Sequence, residues 1–216
     1  MTFNGKNLLQ ALLLVSVGFI LAASASAQSQ NNEVGLLLGA EFIPANSTAS
    51  SLSVPLSYGD SVAFQLNYAR RLKQNNRAAL WLEFPALAGP SHSITNGSGS
   101  LPISLATFYA TPSFRVAFSP ASRFTPWVSF GGGYALFETS ESFANGSPNP
   151  NRLTNTAALQ FGGGVDVKTA IHILLPIGFR AEVRDFYALD VPAFAIAVNN
   201  QHQHNINLSG GLILRF

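Results

Sequence analysis

Cysteine is absent from all 216 residues. Its absence excludes disulfide frameworks, thiolate zinc sites, redox dithiols, thiol catalysis and acylation at a lipobox cysteine. Charge is scarce as well, at 10% of residues against about 25% in an ordinary soluble domain, which argues against a cytoplasmic protein. The formal net charge is only +2 and is spread thinly, leaving no basic footprint for a nucleic acid. Beyond the first 27 residues there is no run of 18 or more apolar residues, so a helical membrane protein is excluded.

What is present begins with an export signal. Lys6 precedes an apolar stretch from Leu8 to Ala23, and Ala25-Ser26-Ala27 forms a small-x-small cleavage pattern before Gln28. The stretch has 16 residues, includes Gln10 and Ser16 and ends in small residues, so it reads as a cleaved signal rather than a permanent span. Residues 1–27 are expected to be a signal peptide and residues 28–216 the mature domain, of 189 residues and net charge +1.

That domain is patterned with a period of two. Val34, Leu36, Leu38, Ala40 and Phe42 share one face; Val62, Phe64, Leu66 and Tyr68 share another, opposite Gln65 and Asn67. Leu80, Leu82 and Phe84 oppose Trp81 and Glu83. Phe108, Phe114, Val116 and Phe118 oppose Thr107, Tyr109 and Arg115, with Pro112 predicting a bulge because it cannot donate to a ladder. Further alternations center on Val128–Leu136, Leu159–Val167, Ile177–Val183 and Ile206–Phe216, although Trp127 and Phe137 blur the polar face of the first of these. The count is eight strands. Each is long enough for a tilted crossing of about 9 to 11 residues.

Connections alternate in length. Lys73–Asn76, Ser119–Phe124 and roughly 169–176 are short, whereas 43–60, 86–103, 138–155 and 188–204 are long and rich in Ser, Asn, Gly and Pro. Short turns at one end and long loops at the other predict an all-β, eight-stranded, antiparallel up-and-down transmembrane β-barrel. The long-loop end is acidic by three charges (Asp60, Glu138, Glu141 and Asp190 against Arg152), whereas Arg70, Arg71, Lys73, Arg77 and Arg123 crowd the turn end. A soluble lipocalin-like barrel is the competing architecture, and it would turn its apolar face inward.

The chain ends on Ser209, Gly211, Leu214 and Phe216, a polar-x-Gly-x-x-apolar-x-aromatic pattern. With the signal peptide, the Phe130-Gly-Gly-Gly133 and Phe161-Gly-Gly-Gly164 repeats and Arg180-Ala-Glu-Val-Arg184, this ending resembles the small outer-membrane β-barrel proteins related to the OmpA membrane domain and OmpX. The resemblance spans the mature chain and implies an outer-membrane location. It further implies that Ser209, Gly211, Leu214 and Phe216 are read by the barrel-assembly machinery after escort by periplasmic chaperones. No trailing peptidoglycan-binding domain is expected, a departure from full-length members of that group.

Parity places Glu41, Glu83, Asp166 and Glu182 inside with Arg115, Lys168, Arg180 and Arg184, four acids against four bases. An eight-stranded barrel is only wide enough for side chains to fill, so these groups are expected to pair as a lumen network, Glu182 with Arg115 among them. Gly131, Gly133, Gly162 and Gly164 also fall inward and would leave room for long Arg and Glu side chains. A narrow gated pore through this network is the functional alternative.

Sharper chemistry does not fit. Gly162–Thr169 has Val167 where a phosphate loop needs glycine before its lysine, and His202 and His204 lack a third ligand or an HExxH helix for zinc. Lipid A deacylases share the resembling fold and use a His and a Ser two residues apart, with an acidic partner, on the lipid-facing rim. Here Ile206 stands two after His204, and Ser91-His92-Ser93 is adjacent rather than spaced, leaving His204 as a bare candidate base. The sequence therefore predicts a monomeric barrel in outer-membrane lipid, without cofactor, metal, nucleic-acid partner or catalytic residues, in an envelope-structural role. Surface adhesion through the loops is the runner-up, ahead of lipid hydrolysis.

Overall fold

A computed structural model describes residues 31–44, 57–96, 99–140, 148–149, 152–169, 177–190 and 202–216. The expected signal peptide and much of the expected long-loop sequence, Glu141 included, lie outside the described residues. Ten strands follow in chain order: β1 Asn32–Phe42, β2 Ser57–Tyr58, β3 Ser61–Gln74, β4 Ala78–Asn96, β5 Gly99–Ala110, β6 Ser113–Phe118, β7 Phe124–Thr139, β8 Leu153–Lys168, β9 Ile177–Ala188 and β10 Gln203–Arg215.

The strands pair antiparallel with their chain neighbors, and β1 pairs with both β3 and β10, so the sheet closes on itself. At the seam the Asn32 N–H donates to the Phe216 carbonyl and the Phe216 N–H to the Asn32 carbonyl, both at 2.9 Å. β5 and β6 lie end to end, each pairing with β4 and β7, and β2 is a two-residue addition to the far end of β4. The wall is thus eight strands around, as the alternation predicts.

The break between β5 and β6 falls on Thr111-Pro112. Pro112 has no N–H to give, but its carbonyl accepts from the Gly132 N–H at 3.1 Å, and the Thr111 N–H donates to the Pro85 carbonyl at 3.2 Å. The ladder is interrupted without reversing the faces, since Tyr109 and Ser113 are both buried and Phe108 and Phe114 both exposed.

One expectation fails. Residues 86–103 are not mainly a loop: β4 runs on to Asn96, β5 starts at Gly99, and the two pair through Ile94↔Leu101 and Asn96↔Gly99. Leu87, Ile94 and Leu105 are buried on the inward side of this hairpin. Burial of that face outweighs the turn-forming composition by which the segment resembles a loop.

The outer face carries large apolar side chains in the open, such as Phe64 at 57%, Phe130 at 55% and Leu208 at 58% exposure. Inside, Glu33, Glu83, Arg115, Asp166, Arg180 and Arg184 are all within 2% of complete burial. Polar inside and apolar outside is the inverse of a soluble barrel, and a lipid environment is what makes it favorable. Ring closure also removes the sheet edges that lipid would leave unpaired.

Candidate functional site: the charged lumen and its apolar cap

The interior has two zones. Towards the turn end, β1, β4, β6, β8, β9 and β10 each send charged groups inward, because odd or even parity on each strand fixes which side chains face the axis. Arg180 lies at the center. Its Nε and Nη2 donate to Asp166 Oδ1 and Oδ2 at 2.7 and 2.8 Å, its Nη2 also to Glu33 Oε1 at 2.7 Å, and its Nη1 to Glu83 Oε1 at 3.2 Å. Arg184 holds Glu182 with two bonds and Glu83 Oε1 at 3.0 Å. Arg115 donates to Glu33 Oε1 at 2.7 Å and stands 3.9 Å from both Glu83 and Asp166. Arg215 bridges Glu33 Oε2 at 2.8 Å and Asp166 Oδ2 at 2.6 Å.

The network therefore contains four carboxylates and four guanidiniums, but not the four and four that parity suggests. Glu83, Arg115, Asp166, Arg180, Glu182 and Arg184 belong to it. Glu33 and Arg215 complete it, while Glu41 and Lys168 do not take part. Arg215 already falls on the polar side of the last strand by alternation, and Glu33 lies one residue before the alternation read for the first strand, so extending that pattern by one position would have found it. The expected Glu182–Arg115 pair does not form, because Arg184, two residues away on the same face of β9, meets Glu182 first.

Neutral groups add to the pairing of Asp166 and Glu182, while Glu83 Oε2 is buried without a hydrogen-bond partner. Trp127 Nε1–H donates to Asp166 Oδ1 at 3.0 Å, and Gln65 Nε2–H to Glu182 Oε1 at 2.6 Å. The Trp127 ring lies 5.1 Å from the guanidinium carbons of Arg180 and Arg184 and 5.6 Å from that of Arg115, so one indole serves three cations. Arg115 Nε and Nη1 make no hydrogen bond, but the same guanidinium also lies 5.2 Å from the Trp81 ring. Such mutual pairing is what makes so many buried ions tolerable.

Of the four inward glycines, Gly162 and Gly164 fit the expected role. A Cβ at Gly164 would stand 2.7 Å from the Trp127 ring, and one at Gly162 3.0 Å from Arg184 Cγ. Gly131 and Gly133 instead admit backbone: a Cβ there would run into the carbonyls of Pro112 and Ala110, at the β5–β6 break.

Towards the loop end the lumen turns apolar. Ile43, Leu87, Ile94, Leu105, Tyr109, Phe137 and Phe186 form one buried cluster, with Tyr109 stacked 4.7 Å from Phe186 and edge-on to Phe137 at 5.9 Å. Phe137 disturbs the alternation for this reason; it belongs to the cap. Glu41 sits here, apart from the arginines. Its Oε2 accepts from Thr107 Oγ1 at 2.7 Å and faces His92 Nε2 at 3.2 Å, and His92 Nδ1–H donates to the Gly59 carbonyl at 2.8 Å, tying the segment beside β2 to the lumen.

On the outer face near the loops, His204 Nδ1 lies 2.8 Å from Asp185 Oδ2, both partly exposed, with the Tyr187 ring 4.7 Å from the imidazole. This supplies a base with an acidic orienter, but its outward neighbors in register are Tyr187, Asp185 and Ile206, none of them a serine. His92 points into the barrel and so cannot join Ser91 or Ser93 on the rim. Among the described residues no group of three His, Asp or Glu could hold a metal ion.

The C-terminal residues sit along the closing seam. Ser209 faces inward, Leu214 pairs with Val34, and Phe216 exchanges its backbone bonds with Asn32. Gly211 is needed because a Cβ there would strike the Leu36 carbonyl of β1.

No protein-family model and no curated protein sequence matches the chain. Solved structures do share its barrel form. Neisserial surface protein A (NspA) aligns over 87% of this chain and 98% of its own at 14% identity and a TM-score of 0.47. The outer membrane protein OprG from Pseudomonas aeruginosa aligns over 86% and 96% at 13% identity and 0.46, and the outer membrane enzyme PagL over 85% and 99% at 14% and 0.42. The chain is similar to these small outer-membrane barrels in fold, at identities that carry over no residue roles.

Proposed function

We propose that the protein is an integral outer-membrane barrel with an envelope-structural role and no reaction of its own. The observation that carries this reading is the filled lumen: a charge-paired layer across the turn half and a packed apolar cluster across the loop half, in series along one narrow axis. An ion would have to break the pairing and then cross a desolvating plug. Among the described residues the rim dyad of His204 and Asp185 has no serine beside it in register, which favors a non-catalytic role.

The chain reaches its membrane by cleavage after Ala27 and works as a monomer in outer-membrane lipid. Its final strand, with Ser209, Gly211, Leu214 and Phe216, is the segment engaged by the assembly machinery after periplasmic chaperones release it. The turn end faces the periplasm and the loop end the cell exterior. The β4–β5 hairpin extends at that outer end, so surface recognition is the second reading, with the hairpin tip and the loops as the contact surface.

The deciding experiment is single-channel recording of the refolded barrel in a planar bilayer, alongside heat-modifiable gel mobility as a check on folding. A folded barrel with no steady conductance is expected. A large, steady conductance would overturn the filled-lumen reading, and a mature protein soluble without detergent would overturn the membrane assignment. Release of lipid A acyl chains by the purified barrel, abolished by His204→Ala, would replace the structural role with an enzymatic one.

A further inference from the structure

At the turn end the lumen opens into a cavity of about 320 Å³. Among the described residues three cations line it, Arg71 from β3, Lys168 from the end of β8 and Arg215 from the end of β10, with Trp81 as one wall and Asp166 as the one acidic residue. The charges there do not cancel. Asp166 already accepts from Arg180 through both oxygens, from Arg215 and from Trp127, so its charge is directed into the network.

Arg215 is matched by Glu33 and Asp166, whereas neither Arg71 nor Lys168 forms an ion pair with a carboxylate among the described residues. Arg71 donates to the side-chain oxygens of Asn31 and Gln74, and Lys168 to the Pro120 carbonyl. Arg215 is near enough to act electrostatically on both, and Asp166 on Lys168. Three like charges lining one cavity repel each other across it, and an anion entering between them relieves that repulsion. The acids needed to neutralise them are not nearby in sequence either: residues 170–176, which follow Lys168, contain no Asp or Glu.

We infer that this cavity is a binding site for a phosphate group, held by Arg71 and Lys168 with Arg215 behind them. Guanidinium forks suit a tetrahedral oxyanion that offers several oxygens at once, and the lysine adds a point charge. The neutral amides and the carbonyl now occupying Arg71 and Lys168 are weaker acceptors than a phosphate oxygen and would give way to it. Trp81 lies 5.6 Å from the Arg71 guanidinium, so a bound anion that shifts Arg71 changes the surroundings of that indole. Two sources share this chemistry, the headgroup of an anionic phospholipid in the adjoining leaflet and a soluble phosphate. The inference needs the barrel geometry only and stands whether or not the protein is purely structural.

The test uses the mature barrel refolded in zwitterionic detergent and titrated with inorganic phosphate at constant ionic strength, with tryptophan emission as the readout. The chain has two tryptophans, so Trp81→Phe assigns the signal to the cavity. A saturable response to phosphate is expected, absent with chloride and absent in Trp81→Phe. Lys168→Gln and Arg71→Gln should each weaken the apparent affinity about tenfold, the scale of one charge-assisted hydrogen bond, while Lys168→Arg retains binding. Heat-modifiable mobility verifies that each variant is folded. No saturable response, or an equal one in both glutamine variants, overturns the site. Repeating the titration in nanodiscs of phosphatidylcholine with and without phosphatidylglycerol identifies the source: a curve shifted to higher phosphate by the anionic lipid points to the headgroup, and an unshifted curve to a soluble phosphate.

Discussion

Arg184 grips Glu182 from two residues away on the same inward face of β9, donating Nε to Oε1 at 2.6 Å and Nη2 to Oε2 at 3.1 Å. Both side chains are completely buried. The pair is therefore a unit in a low-dielectric interior, and removing Glu182 leaves the buried Arg184 with Glu83 as its remaining carboxylate. Glu182→Ala should cost about 3 to 5 kcal/mol of folding stability, and the double variant Glu182→Ala, Arg184→Ala less than the sum of the two single changes. Urea titration in lipid vesicles measures it; additive losses would dissolve the pair as an energetic unit.

The outward face gives a second expectation. Phe64 is 57% exposed and Leu82 lies on the same outer surface of the wall. Arginine at either position should lower folding stability in bilayers by about 2 to 4 kcal/mol where the site lies near the midplane. Unchanged folding free energies for Phe64→Arg and Leu82→Arg would mean that this surface does not face lipid.

The apolar cap depends on Phe186, fully buried and stacked on Tyr109. Phe186→Ala should cost about 3 to 5 kcal/mol through lost burial and the cavity left behind. The same variant, recorded in a planar bilayer, should remain closed, since the arginine–carboxylate layer below it is untouched. Channel opening in Phe186→Ala alone would mean that the cap is the lumen's whole barrier.

Gly164 tests the room made for Trp127. A β-branched side chain there meets the indole and the Ala181 carbonyl, so Gly164→Val should cost about 1 to 3 kcal/mol by overpacking. Trp127 also donates to Asp166, so its displacement should appear in the near-ultraviolet circular dichroism of the refolded barrel. A wild-type spectrum from a stable Gly164→Val barrel would contradict the close packing.

Removing Phe216 deletes an apolar side chain and the two backbone bonds that close the seam with Asn32. Burial alone is worth about 1.5 to 3 kcal/mol, and two net hydrogen bonds add about 1 kcal/mol each. A detergent-refolded barrel should survive this with reduced yield. If the assembly machinery also reads the final strand, the amount of folded protein in cells should fall much further than the refolding yield. Equal losses in the two settings would reduce Phe216 to a packing and closure role.

The faces of the strands were legible because parity is a local property of extended chain. Each of the eight stretches has its apolar set outward, and even Pro112 interrupts the ladder where the pattern places it. The β4–β5 hairpin was not legible. Its residues carry Ser, Gly, Asn and Pro like a loop, and only contact with Phe137 and Phe186 from other strands makes Leu87, Ile94 and Leu105 a buried strand face.

By itself the sequence determined the period, the sign of each face and most of the acids and bases that share the interior, since all three follow from side chains alternating along an extended backbone. Which acid meets which base was decided only when the ring closed. Strand stagger and closure set the height of every inward residue, bringing Glu33 to Arg180, 147 positions away, and to Arg215, 182 away, while holding Glu41 against Thr107 and His92 instead. Those heights depend on register between strands distant in sequence, a quantity no single strand contains.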